Sequence, residues 1–233
     1  MNEITIENIH LELAAFKLSV KSTGNIITCE EIKETILCIH TANYKIEMHS
    51  VSLPLRYWSS LTENYWTSPD FQISFSKAWL FYITKTSSSQ EELAFSIELS
   101  DASTQINVGP ATGQWLIAVE LEDGVNQVHI GAEDEDALAA RGEKNDWMPP
   151  RLVEKLQSYT FLPTQITEKG LVTTVSELEF GERFYFHYII AEEKYRKSLE
   201  YPDEVANSSW MAVEQSKYQL EKAWQSQNKF SDE

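Results

Sequence analysis

From residue 71 to residue 83 the large apolar side chains fall on odd positions: Phe71, Ile73, Phe75, Trp79, Phe81 and Ile83, with Lys77 the one exception. Ser74, Ser76 and Ala78 lie between them, so one face of an extended segment is large and apolar while the other begins small. Leu80 and Tyr82 make the far half apolar on both faces, the pattern of a strand entering the interior. After the polar stretch 84–92, alternation resumes at Leu93, Phe95, Ile97 and Leu99, which predicts an antiparallel hairpin with a polar tip.

A second hairpin is predicted where Trp115, Ile117, Val119 and Leu121 alternate, Asp123–Gly124 supplies a turn, and Val128 and Ile130 continue. A third joins Leu171, Thr173 and Val175 to Phe184, Phe186, Tyr188 and Ile190 around Gly181. In the opening segment, odd-position alternation through Ile9, Leu11 and Leu13 changes phase at Phe16, Leu18 and Val20, as in a bulged strand.

Helical spacing is found elsewhere. Thr28 and Glu31 resemble a capping box, with Ile32, Ile36 and Ile39 on one face behind it. Pro54 opens a segment in which Leu55, Trp58, Leu61 and Tyr65 recur at helical intervals, and Pro149–Pro150 precedes Leu152, Val153 and Leu156. Pro202 and Asp203 start a last helix with a stripe of Ala206, Trp210, Val213, Leu220 and Trp224. The resulting expectation is an α+β fold: a mostly antiparallel sheet built from hairpins, with flanking helices and a C-terminal helix. No repeat and no Pro- or Gly-rich linker divides the chain, so one globular domain over 1–226 is expected, with a polar tail over 227–233.

Charge adds the first functional constraint. The 233 residues carry 36 Asp and Glu against 19 Lys and Arg, a net −17. Such a surface repels nucleic acid and anionic bilayers, whose binding relies on clustered basic side chains. Cys29 and Cys38 make no disulfide framework or Cys-x-x-Cys pair, and no apolar run approaches a membrane span. A cytoplasmic protein is the expectation.

Residues 101–150 alone carry a net −8, densest between Glu120 and Asp146. The bland reading of that stretch is a solvated loop feeding a short helix, since acids favour a helix start and Ala137–Ala140 follow. The functional reading is a docking surface for a basic protein, formed by Glu133, Asp134, Glu135, Asp136, Glu143, Asp146 and Trp147. A hard-cation site is disfavoured, because the alternating ligands, central Gly and terminal Glu of an EF-hand loop are missing.

Catalytic signatures are absent. The five histidines, His10, His40, His49, His129 and His187, show no zinc-hydrolase spacing, and no phosphate loop, dinucleotide fingerprint or nucleophile elbow occurs. Cys38 and His40 would form a thiol–imidazole pair only if that stretch were a strand. His187, between Phe186 and Tyr188, is the candidate buried base, with Glu177 or Glu179 nearby in sequence. The aromatic pairs Tyr57–Trp58 and Tyr65–Trp66 offer a third idea, a sugar-binding helix. The leading expectation is a non-enzymatic, cofactor-free acidic interaction protein of inhibitor, immunity or assembly type, bound to a basic partner. The alternative is an enzyme or small-ligand binder with a pocket between sheet and helices that uses His187 and carboxylates.

Overall fold

The computed structural model describes residues 2–24, 26–53, 72–100, 105–144, 147–199, 201–216 and 220. Among them the strands are β1 (Asn2–His10), β2 (Ala15–Ser22), β3 (Ile27–Lys33), β4 (Ile36–Thr41), β5 (Tyr44–Ser52), β6 (Phe75–Lys85) and β7 (Leu93–Leu99). They continue with β8 (Asn107–Pro110), β9 (Leu116–Glu122), β10 (Asn126–Glu133), β11 (Thr164–Thr167), β12 (Gly170–Val175) and β13 (Arg183–Lys194). Three short helices join them, α1 (Glu135–Gly142), α2 (Pro150–Gln157) and α3 (Ser208–Ser216).

All strand pairings between these elements are antiparallel, and they form two sheets of five and eight strands, ordered β1-β2-β7-β12-β11 and β3-β4-β5-β6-β13-β10-β9-β8. The antiparallel architecture matches the expectation, but the helices are few and short, so the α part of α+β is slight. The sheets pack face to face over a core to which both contribute. Phe95 of β7 meets Phe81 and Phe186 of the larger sheet at ring separations of 5.0 and 5.1 Å. Tyr188 reaches across to donate to Thr173 Oγ1 at 2.7 Å, and burial raises its phenol pKa. Lys77, the interruption in the β6 stripe, reaches β1, where it ion-pairs with Glu7 at 2.5 Å beside the Trp79 indole, which donates to the same carboxylate at 2.9 Å.

Two of the three predicted hairpins are corrected. β9 and β10 do pair around Asp123–Gly124, where Asp123 accepts from the Val125 and Asn126 amides. β6 and β7, however, belong to different sheets, as do β12 and β13. Alternation specifies which side chains go inward, and facing each other across a sandwich hides them as well as lying side by side.

The Thr28–Glu31 helix is also corrected: residues 27–41 form the β3–β4 hairpin. Ile39 is fully buried opposite Ile46, and β-branched residues suit that pleated environment. The phase change in the opening segment is a turn between β1 and β2, with the bulge itself lying at Thr5–Glu7. The Pro150 helix forms as α2. α3 begins at Ser208 rather than Pro202, and upstream of it Lys197 and Val205 form an isolated antiparallel bridge. The Pro54 helix with its aromatic pairs, Trp224 and the 227–233 tail lie outside the described residues.

A second core lies on the outer face of the larger sheet, where Val213 and Leu220 cover Leu80, Ala118, Tyr185 and Ile189. Gly131 permits this contact: a Cβ there would sit 2.1 Å from Val213 Cγ1. No helix among the described residues is long and apolar enough to cross a membrane.

Candidate functional site

The outer face of the larger sheet differs from an ordinary covered face in its polar content. Along β10 and β13 the inward positions are Val128, Ile130, Phe184, Phe186 and Tyr188, while His129, Glu133 and His187 share the outward positions with Tyr185 and Ile189. Period two therefore places three buried titratable groups beneath α1 and α3.

The first cluster centres on Glu133, which is 3% exposed. Arg141 of α1 grips it through Nη2 to Oε1 at 2.5 Å and Nε to Oε2 at 3.0 Å, and its guanidinium lies 4.3 Å above the Tyr185 ring. The fork leaves no free face on this carboxylate for a partner. His187 is fully buried beside it, with Nδ1 3.0 Å from the Tyr185 hydroxyl and 3.7 Å from Glu133 Oε2. Burial first, and the Arg141 charge second, hold its pKa well below the usual histidine range. Nε2 has no hydrogen-bond partner among the described residues. His187 is a neutral imidazole sealed in the protein.

The other acidic residues are placed as follows. Asp134 caps α1 by accepting from the Ala137 amide at 2.9 Å. Glu135 and Asp136 occupy the first turn, and Asp136 accepts from the Tyr159 hydroxyl at 3.2 Å. Glu143 accepts from Gln157 at 2.9 Å. Trp147 is half-buried and meets the Tyr82 ring edge-on at 5.0 Å, with the Arg183 guanidinium 5.1 Å over its own ring. Asp146 lies outside the described residues. The predicted set is thus split between one sealed carboxylate, one cap and an outer rim of three.

The second cluster opens onto a cavity of about 320 Å³. Its walls are the β8–β9 turn at Pro110–Thr112, Glu120 of β9, Gln127 and His129 of β10, the segment Val205–Asn207, Tyr195, and Trp210 of α3. Trp210 is fixed by an indole hydrogen bond to Ala111 O at 2.8 Å. Gly113 makes room for it, since a Cβ there would sit 2.9 Å from Trp210 Cζ2.

A chain of hydrogen bonds decides the protonation of His129. Glu193, 1% exposed, accepts from both the Ser209 amide at 2.6 Å and the Ser209 hydroxyl at 2.9 Å, at the positive end of α3. The hydroxyl proton is therefore committed, and His129 Nδ1, 2.8 Å from Ser209 Oγ, must be the donor. Burial pulls the His129 pKa down to about 3, so the ring is neutral and Nε2 is a bare acceptor on a cavity-lining residue. Gln127 donates to Glu120 Oε1 at 2.6 Å, which leaves Gln127 Oε1 buried with no partner among the described residues. Burial raises the Glu120 pKa, against that Gln127 hydrogen bond. The cavity thus presents the Glu120 and His129 acceptors alongside the hydroxyl and amide groups of Thr112, Tyr195 and Asn207.

Sequence reasoning chose His187 and passed over His129, Glu120 and Gln127. A signal was available for two of them: Glu120 between Val119 and Leu121, and His129 between Val128 and Ile130, are polar residues at outward positions of apolar strands. The Cys38–His40 pair also meets its stated condition. Both lie on β4, with Sγ 3.1 Å from Nε2. Burial nevertheless raises the Cys38 pKa, so the thiol stays protonated rather than activated.

No family model matches the chain, and no curated protein matches it. Among solved structures it is similar to a "Putative kojibiose phosphorylase from human microbiome", at 8% identity and a TM-score of 0.37. That likeness covers 97% of this chain and 28% of the other, so the chain spans under a third of that protein. A likeness this distant transfers no activity.

Proposed function

We propose that the protein is a small-ligand-binding module whose site is the cavity beneath Trp210. The observation that carries this is a set of acceptor-bearing residues on one cavity: Gln127, whose Oε1 has no hydrogen-bond partner among the described residues, His129, whose Nδ1 is spent on Ser209, and Glu120, which accepts from Gln127. Buried acceptors without partners are unfavourable unless something donates to them. A volume of about 320 Å³ is at the small end of ligand sites. A monosaccharide-sized polyol fits: several hydroxyl donors on one rigid ring answer several spaced acceptors, while the Trp210 and Val205 surfaces take its apolar face.

Saturation-transfer NMR with a panel of pyranoses, linear polyols and simple amines tests this. The expected result is binding of at least one pyranose, weakened about tenfold in Glu120→Ala, the loss of roughly one charge-assisted hydrogen bond. If amines bind and no polyol does, the ligand class is wrong. If nothing binds at millimolar concentration, the reading fails.

A second reading keeps the acidic docking surface, narrowed to the outer rim. Glu135, Asp136 and Glu143 form no ion pair with any described lysine or arginine, and the chain carries −17 overall. A basic protein partner would be steered there and released by salt. Charge reversal of all three residues should abolish such a complex at low salt. Retention of every partner would end this reading.

A further inference from the structure

Two of the connections that cross between the sheets, 86–92 after β6 and 176–182 before β13, meet at the same end of the sandwich. They are tied together at Lys85, whose amide donates to Glu182 O and whose carbonyl accepts from the Gly181 amide, both at 2.9 Å. Between them lies a cavity of about 610 Å³ lined by Lys85, Ser88, Ser89, Gln90, Ser176, Glu177, Leu178, Glu179 and Phe180. It is remote in sequence and in lining from the Trp210 cavity.

Lys85 is the unusual member. It is 3% exposed, and its Nζ lies 4.0 Å from the centre of the Tyr44 ring. The nearby carboxylates are engaged elsewhere. Glu91 accepts from Ser22 Oγ and, at 2.9 Å, from Thr41 Oγ1; Glu177 pairs with Lys155, and Glu179 lies 3.5 Å from Arg151. Among the described residues no oxygen accepts a hydrogen bond from Lys85 Nζ. Tyr44 itself is pinned by donating to Glu91 O at 3.0 Å, which fixes the floor on which the amine rests. A lysine that is desolvated, without a carboxylate partner and open to a cavity is a nucleophile in waiting. Burial also lowers its pKa, partly opposed by Glu91, which enlarges the neutral fraction.

We infer that Lys85 forms a reversible imine with a small aldehyde or ketone held in this cavity. The Nζ lone pair adds to the carbonyl carbon while the C=O electron pair moves to oxygen. Proton transfer from nitrogen to that oxygen gives a carbinolamine, and loss of water leaves the C=N bond. Nothing is oxidised or reduced. The hydroxyls of Ser88, Ser89 and Ser176 are the donors available to the carbonyl oxygen. A neutral carbonyl compound suits the site better than an anion, because three glutamates stand around it.

The test treats the intact protein with propionaldehyde and sodium cyanoborohydride at neutral pH, which reduces any imine to a stable secondary amine, and maps modified lysines by peptide mass spectrometry. Lys85 should react faster than the exposed Lys144 and Lys169, because its amine lies without a carboxylate partner beside a cavity that can hold the carbonyl compound. The selectivity should vanish in guanidinium chloride. Lys85→Arg, which keeps a cation over Tyr44, should lose the fast site and no other. A rate at Lys85 no greater than at the two exposed lysines, or selectivity that survives unfolding, overturns the inference. Both readouts come from the wild-type chain, so failure of a variant to fold does not blunt them.

Discussion

The two faces of the eight-stranded sheet are made by the same strands yet obey different rules. The inner face is dry and aromatic: Phe81 stacks on Phe186 at 4.8 Å, and Phe95 closes on both from the other sheet. The outer face alternates with it residue by residue and carries Glu133, His129, His187 and Glu193, all buried. Both faces are covered, but only one has something besides packing to accommodate. The inner face holds the sandwich together, and the outer face holds polar groups in fixed protonation states under a thin helical cover.

Four changes break or sharpen this contrast. Phe81→Ala empties the centre of the inner face and should destabilise the protein by about 3–5 kcal/mol in urea unfolding, the usual effect of deleting a buried ring. A loss under about 1 kcal/mol would mean that the two sheets do not share a core. Arg141→Met removes the guanidinium that grips the buried Glu133 carboxylate and should cost about 3–5 kcal/mol. Adding Glu133→Leu should recover most of that, because replacing both partners removes the desolvated charge; a double variant no better than the single would show the pair to be incidental.

Gly131→Ala tests the cover itself. Its new methyl would collide with Val213, so a loss of about 1–3 kcal/mol is expected, with hydrogen exchange rising first in α3. Uniform exchange changes would count against a helix seated on that glycine.

The smallest effect is a slope. His129 has a folded pKa of about 3 against an ordinary 6.5, so on acidification the unfolded chain takes up the proton first. Stability present above 6.5 is therefore lost as pH falls toward 3, by about 1.4 kcal/mol per pH unit. His187 acts in the same direction. Glu120 and Glu193, raised by burial, act in the opposite sense, since they protonate in the folded state first as pH approaches 4.5. His129→Asn, which keeps a donor for Ser209, should flatten urea-midpoint curves between pH 6.5 and about 5. An unchanged slope would refute a neutral imidazole.

Much of the local structure was legible. The odd-position stripe of β6 was readable before any coordinates, as were the Asp123–Gly124 turn and the Pro150 start of α2. Strand partners were not, because period-two alternation is a property of one segment whereas pairing joins segments a hundred residues apart. The Ile32–Ile36–Ile39 spacing satisfies a helix and a turned hairpin alike, and only the neighbouring β5 decides between them. Net charge located the acidic stretch correctly along the chain but could not sort its members. Glu133 and Asp134 are adjacent in sequence, and strand geometry sets one on the outer face beneath Arg141 while the other caps a helix. His129 is visible in the sequence as a polar residue between Val128 and Ile130, but its role is not, because that depends on Ser209 and Glu193, which join it only in the fold.

The position of β13 has a consequence for how the protein is made. β3 to β6 are consecutive neighbours, and so are β8 to β10, so each block can zip up soon after synthesis. β13 is the strip that joins them, and it ends at Lys194. Until the ribosome has passed that residue, β6 and β10 each present an unpaired, strongly apolar edge. The nascent chain is therefore exposed to aggregation through both edges until β13 has been made, and a product truncated before residue 183 leaves the larger sheet in two halves.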